Sequence, residues 1–134
     1  MPGVWLIVLL GMMPAHGRDG HPNVEGSWSI VAFTAYATTG TAEFPHPERL
    51  AGTRLAFGRH LVTMGAARCK NALPLEVETG DFANFYQEMR IDPSVVKLPR
   101  HYQVVSSDCG QFLLRTPTSG YFLRGGYLFE VRKR

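Results

Sequence analysis

Side chains near the end of one predicted strand include the atoms of a hydrolase triad. Ser106, Ser107 and Asp108 are consecutive, and His60 or His101 would supply the imidazole. A catalytic serine needs a context that exposes and activates it, such as a G-x-S-x-G turn. No such motif surrounds these serines. We therefore expect them to finish a strand and enter a turn.

The other residues that could do chemistry lack the spacing of known sites. Glu76 and Glu78 fall on one face of a predicted strand, as catalytic carboxylates would, but an exposed face opposite Val77 explains them. The histidines form neither H-x-H nor H-E-x-x-H, and no G-K-[ST] follows Gly125-Gly126, which indicates a turn. The sequence therefore predicts no catalytic residue, no metal site and no cofactor, in a protein that is not an enzyme.

The two cysteines, Cys69 and Cys109, predict a disulfide bond. Neither belongs to a C-x-x-C motif, and a zinc site would need two further ligands at suitable spacing. Closing a loop of about forty residues stabilises a fold by up to about 4 kcal/mol in the chain-entropy model. We interpret the pair as structural.

Residues 1–17 have the pattern of a signal peptide. The apolar run from Val4 to Met13 has the length of a signal-peptide core and is too short to span a bilayer. Ala15 and Gly17 then predict cleavage before Arg18. The short segment before the run carries no Lys or Arg, and the alternatives are a buried N-terminal strand or a start codon assigned at the wrong position. We expect a periplasmic or secreted protein with no membrane span in its mature part.

Composition indicates one globular domain. The 134 residues are 45% hydrophobic and 19% charged, with a net charge of +3. Acidic residues interrupt the basic ones, whereas a nucleic-acid binder concentrates its positive charge on one stripe. No nucleic-acid partner is expected.

The chain after the signal peptide is mostly β by pattern. Residues 18–25 are expected to be a flexible lead-in and residues 26–134 a single domain with short helices after Pro47 and Asp81. In the first strand, alternation places Trp28, Ile30, Ala32 and Thr34 on one face. Alternating or β-rich segments with turn residues between them predict about eight antiparallel strands, at 28–36, 53–57, 60–64, 75–79, 101–107, 111–115, 121–124 and 127–132. The predicted fold class is a small antiparallel β-barrel.

Gly26-Ser27-Trp28 resembles the G-x-W signature of lipocalins and related calycin barrels. The whole layout is similar to small secreted bacterial lipocalin-like domains, with a helix ending in Leu-Ala-Gly, paired cysteines and a terminal strand rich in aromatic residues. The resemblance implies that Trp28 packs across the closed end of the barrel near an arginine from a late strand. Arg124 and Arg132 are both candidates for that arginine.

A lipocalin-like barrel implies a non-catalytic binding protein. One hypothesis is a small apolar ligand held inside the barrel. The alternative is a module that presents a loop to a protein of the cell envelope, for instance as an inhibitor of a cell-wall hydrolase, with residues 116–121 as the candidate loop. The predicted ligand-lining residues are Trp28, Phe33, Phe57, Phe112, Tyr121 and Phe129.

Overall fold

Nine antiparallel strands form a single sheet that curls into a half-barrel. The computed structural model describes residues 22–37 and 43–134, so the predicted signal peptide and most of the lead-in lie outside the described residues. The strands are β1 (Gly26–Tyr36), β2 (Arg54–Phe57), β3 (Leu61–Met64), β4 (Ala67–Lys70), β5 (Glu76–Asp81), β6 (His101–Ser107), β7 (Gly110–Thr116), β8 (Ser119–Arg124) and β9 (Tyr127–Lys133).

The strand order is that of an up-and-down barrel opened at one place. The order is β4-β3-β2-β1-β9-β8-β7-β6-β5, so the first and last strands pair and β4 and β5 form the two edges of the sheet. We call the gap between β4 and β5 the open seam. The predicted mainly β, antiparallel architecture is confirmed. The additional strand, β4, follows a bend at Gly65, whose φ is +60°.

The long first strand changes face along its length. Its register with β9 shifts between Ile30 and Ala32 and again between Phe33 and Ala35. Such β-bulges reverse the alternation of side chains beyond them. Phe33, and not Ala32, therefore packs against the same cluster as Trp28 and Ile30.

Short helical segments lie outside the sheet. The predicted first helix is a 3₁₀ turn, Pro47–Leu50. The second is a 3₁₀ turn, Phe82–Asn84, that continues into helix α1, Phe85–Met89. The Asp81 carboxylate caps this segment by accepting a hydrogen bond from the Ala83 amide at 3.0 Å. An unpredicted 3₁₀ turn, Pro93–Val95, follows.

The sheet buries both of its faces over β6–β9. Phe112, Phe122 and Phe129 belong to a first cluster with Trp28, on the concave face of the curled sheet. Alternate residues of the same strands, such as Leu113 and Leu128, form a second cluster. The segment that contains α1 covers this second cluster, which includes Phe85, Ile91 and Val96.

The β8–β9 connection is the predicted Gly125-Gly126 turn. Its φ angles of +57° and +88° suit the type I′ hairpin turn, which requires positive φ at both central residues. Within the described residues, no helix is both long and apolar enough to cross a membrane.

Candidate functional site

Four of the six predicted ligand-lining rings are fully enclosed in the first cluster. Trp28, Phe112 and Phe129 have 0% exposure and Phe57 has 2%. The ring centroid of Phe112 lies 4.8 Å from that of Trp28 and 5.0 Å from that of Phe57. Phe33 packs at the margin of the same cluster, 5.7 Å from Phe129. These separations are those of rings in direct contact, so the rings fill the space between them.

The sixth predicted ring, Tyr121, lies in the second cluster, on the other face of the sheet. Its hydroxyl accepts a hydrogen bond from the Lys97 amide at 2.8 Å, and the Arg115 guanidinium lies 5.6 Å from its ring centroid. Tyr121 thus fixes the segment that covers the outer face.

The predicted 116–121 loop is a tight hairpin turn in which the Thr116 and Ser119 hydroxyls are 2.7 Å apart.

The cation beside Trp28 is Lys133, and neither candidate arginine has this role. The Lys133 ammonium lies 5.8 Å from the Trp28 ring centroid, and the indole N–H donates to the Val24 carbonyl at 2.9 Å. Arg124 instead binds the Glu43 carboxylate at 2.7 Å and the Cys109 carbonyl at 2.8 Å. Arg132 pairs with Ser29 in the ladder between β1 and β9 and is exposed.

The predicted disulfide is confirmed between Cys69 and Cys109. Cys69 lies on β4, an edge strand of four residues, and Cys109 lies in the β6–β7 turn and is 1% exposed. The bond therefore fastens one edge of the sheet to the turn of a distant hairpin. Neither cysteine is free.

Residues 71–75 follow the disulfide and connect β4 to β5; we call them the anchored loop. The Asp108 carboxylate accepts hydrogen bonds from the amides of Ala72 at 2.6 Å and Leu73 at 3.0 Å. The Asn71 amide donates to the His60 carbonyl at 2.8 Å. Hydrogen bonds at both the β2–β3 turn and the β6–β7 turn thus hold the loop backbone.

Asn71 is the buried polar residue of this region, with 5% exposure. Its side-chain amide donates to the Gly58 carbonyl at 3.0 Å, whereas its carbonyl oxygen is buried without a partner among the described residues. Because only the NH₂ group of this buried side chain is hydrogen-bonded, Asn71 fixes the position of the loop but adds little to the free energy of unfolding.

The anchored loop forms one wall of a cleft of about 450 Å³. Leu73 is 64% exposed, and its neighbours Ala72 and Pro74 are also exposed. The cleft is lined by Glu25, Arg59, His60, Asn71, Ala72, Leu73, Pro74 and Leu75. The site therefore combines exposed apolar side chains, two basic side chains and a fixed backbone.

The serines and the aspartate of the hypothetical hydrolase triad make hydrogen bonds that stabilise the β6–β7 turn and the loop beside it. Ser107 donates to the Gly110 carbonyl at 2.9 Å and accepts from the Cys109 amide at 3.1 Å. Ser106 accepts from the Gln111 side chain at 3.0 Å, and Asp108 holds the anchored loop. Within residues 22–37 and 43–134, no group of three or more His, Cys, Asp or Glu residues is placed to bind a metal ion.

Sequence reasoning did not identify the anchored loop as a site. Its signals were an exposed-loop leucine before a proline, in Leu73-Pro74, and the close position of Cys69. No protein-family model, curated protein or solved structure matches the chain.

Proposed function

We propose that this chain is an exported, non-catalytic binding protein with a lipocalin-like barrel that recognises a protein partner through its anchored loop. One observation carries the proposal. The Leu73 side chain is 64% exposed while its own amide is held by Asp108. An exposed leucine on a mobile loop would gain little from binding, because ordering the loop costs entropy. On a fixed loop that cost is already met by folding.

The first cluster favours a partner outside the barrel over a small ligand inside it. Trp28, Phe112 and Phe129 are fully buried within the same cluster of aromatic and aliphatic side chains. A ligand in this position would have to displace rings from a well-packed core, which costs stability. The anchored loop requires no such rearrangement.

The charges around the loop indicate the chemistry of the partner. Arg59 and His60 are exposed and line the cleft, Lys70 is exposed directly before the loop in sequence, and Glu25 is the single acidic residue that lines the cleft. An exposed leucine near basic side chains complements an apolar site with acidic walls. Glycoside hydrolases carry a pair of carboxylates in such a cleft. Inhibition of a cell-wall hydrolase is therefore the specific function we propose.

The experiment measures hydrolysis of peptidoglycan by lysozyme and by a second muramidase with increasing amounts of the purified, oxidised chain. We expect inhibition of at least one enzyme that saturates at an equimolar ratio. Leu73→Asp should weaken that inhibition by about tenfold or more, because it places a charge at the apolar centre of the contact and repels the carboxylates.

Val95→Asp is the matched control. Val95 is 45% exposed on the segment that covers the outer face, so the variant makes the same chemical change away from the loop. Equal weakening by both variants would contradict a role for the anchored loop. Full activity of both hydrolases at a large molar excess of the chain would refute the inhibitor proposal.

A further inference from the structure

The open seam leaves β5 as an unpaired edge. β5 pairs with β6 along its whole length, from Glu76 opposite Ser106 to Asp81 opposite His101. Among the described residues, no backbone hydrogen bond joins β5 to a strand on its other side. An edge of six residues is long enough to template a further strand.

This edge is acidic in a chain whose net charge is positive. Glu76, Glu78 and Asp81 lie within β5, which contains no basic residue. Glu76 and Glu78 are exposed, whereas Val77 between them packs against the first cluster. Carboxylates at an edge repel a second acidic strand and attract a basic one.

A cleft of about 250 Å³ lies on the outer face of this edge. Residues of α1, β5, β6 and β7 surround it. The cleft is lined by Glu78, Thr79, Gly80, Glu88, Met89, Tyr102, Val104 and Gln111.

Tyr102 contributes a hydroxyl that has no hydrogen-bond partner among the described residues, although the residue is 2% exposed. Its ring crosses β5 above Gly80. A Cβ at Gly80 would lie 2.5 Å from the ring and 2.9 Å from the hydroxyl oxygen. The absence of a side chain at Gly80 therefore lets the hydroxyl reach the edge of the sheet.

The hydroxyl is neutral and surrounded by negative charge. Burial, followed by the carboxylates of Glu88 and Asp81, raises the pKa of Tyr102 to about 12. A buried hydroxyl without a partner costs stability, and here it faces the same cleft as the carboxylates of Glu78 and Glu88.

The chemistry of the cleft selects an organic cation. The phenol oxygen and the carboxylates are all able to accept hydrogen bonds. A guanidinium or ammonium group donates several hydrogen bonds and carries the complementary charge. A metal ion is disfavoured because the described residues place no three His, Cys, Asp or Glu side chains together.

We propose that the edge of β5 accepts an extended basic segment of a partner protein as a tenth strand, with an arginine or lysine side chain in the cleft between Glu78 and Glu88, against the hydroxyl of Tyr102. Directly opposed residues of neighbouring strands have Cβ atoms about 5 Å apart on the same face. A basic residue opposite Glu78 therefore reaches the cleft. A second one, two positions along, faces Glu76. This surface is separate from the anchored loop, and the inference does not depend on the proposed inhibition.

The experiment titrates the full, oxidised chain, labelled with ¹⁵N, with the peptide acetyl-Thr-Val-Arg-Val-Arg-Val-amide. We expect saturable shifts of the Thr79 and Gly80 amides. The same peptide with glutamate in place of arginine should not bind. A version with N-methyl groups on alternate amides, which retains the side chains and cannot pair along that edge, should bind about tenfold more weakly or worse.

Three variants test the cleft itself. Glu78→Gln and Glu88→Gln should each weaken binding of the arginine peptide by about fivefold or more, since each removes a charge partner. Tyr102→Phe should weaken it by about threefold, while the free variant is at least as stable as the wild type. Glu48→Gln is the control, because Glu48 is exposed on the Pro47–Leu50 turn.

Several results would overturn the proposal. The first is binding of the glutamate peptide as tightly as the arginine peptide. The second is an affinity of the Glu78→Gln and Glu88→Gln variants for the arginine peptide equal to that of Glu48→Gln. The third is binding of the N-methylated peptide as tightly as the unmethylated one. Self-association of the chain without peptide, measured by sedimentation, would also overturn it. The basic edge strand β4 of a second copy, with Arg68 and Lys70 exposed, would then be the occupant.

Discussion

Reduction of the Cys69–Cys109 bond is expected to remove a large part of the stability of the folded chain. The two cysteines are 40 residues apart in sequence. In the chain-entropy model a closed loop of this length raises the free energy of unfolding by about 4 kcal/mol. Marginally stable domains have about 5–15 kcal/mol in total, so the loss is a substantial fraction of the whole.

The structure indicates why little else compensates for this bond. β4 has four residues and pairs only with β3, because β5 does not form a ladder with it. The remaining connections between this part of the chain and the β6–β7 turn include the two hydrogen bonds from the anchored loop to Asp108. Hydrogen bonds to an exposed carboxylate contribute much less than the bond between the cysteines.

The assay is urea unfolding of the wild type with and without tris(2-carboxyethyl)phosphine. With a denaturant dependence of about 1–2 kcal/mol per molar urea, the midpoint should fall by roughly 2–4 M. The thermal midpoint should fall by about 15 °C or more for a domain of this size. Amide exchange at Ala72 and Leu73 should accelerate in the reduced protein before global unfolding occurs.

The double variant Cys69→Ala/Cys109→Ala controls for direct effects of the reductant. It should match the reduced wild type to within about 1 kcal/mol, because it lacks the same bond and loses only two sulfur atoms from the first cluster. A reduced wild type that loses less than about 1 kcal/mol would refute the reasoning. It would mean that the contacts of β4 and the anchored loop hold the seam without the disulfide.

Three further outcomes are expected. Gly80→Ala should lower the free energy of unfolding, measured by chemical denaturation, by about 1–2 kcal/mol. The new Cβ would lie 2.5 Å from the Tyr102 ring, and this overlap outweighs the usual gain from replacing glycine in a strand. A more stable variant would contradict this packing. Burial raises the pKa of folded Tyr102 to about 12, whereas the unfolded tyrosine loses its proton near its ordinary value of 10. The free energy of unfolding of the wild type should therefore be unaffected by this group below pH 10 and fall as the pH rises from 10 through 12, more steeply than that of Tyr102→Phe. Parallel profiles would be inconsistent with the raised pKa. Asp108→Ala should accelerate amide exchange at Ala72 and Leu73 by about tenfold while leaving the disulfide intact, and unchanged protection there would show that Asp108 does not hold the loop.

The strands with one exposed face could be predicted from sequence. In β2 and β5, polar and apolar residues alternate, and the structure has Leu55, Phe57 and Val77 facing the first cluster. Turn residues also gave correct connections, as at Gly125-Gly126. These signals are local, because in a half-buried strand the alternation of polar and apolar residues alone determines which side chains face the core.

The faces of the later strands could not be predicted in this way. β8 and β9 are buried on both sides, and their apolar runs include Tyr121-Phe122 and Leu128-Phe129. In such a run every position is apolar, so periodicity carries no information about which residue faces the barrel. This is why Tyr121 and Phe129 both appeared to be lining residues although they lie on opposite faces.

In β1, irregular backbone geometry prevents simple alternation from showing which side chains share a face. Two register shifts place Phe33 with Trp28, whereas strict alternation groups Ala32 with it. A bulge depends on how the strand meets its neighbours, and no residue in this segment requires one locally. The anchored loop was missed for a related reason, since its fixed conformation comes from Asp108, which lies 36 residues away from Ala72 in sequence.

The two proposed surfaces have a common origin in the open seam. A closed barrel would satisfy β4 and β5 by pairing them and would leave no edge. Here the disulfide and the bonds from the anchored loop to Asp108 fasten the β4 side at the β6–β7 turn instead. This fixes the loop backbone with Leu73 exposed, and it leaves the acidic edge of β5 without a ladder partner. Because the rings of the first cluster fill the interior, both proposed binding surfaces lie beside the seam.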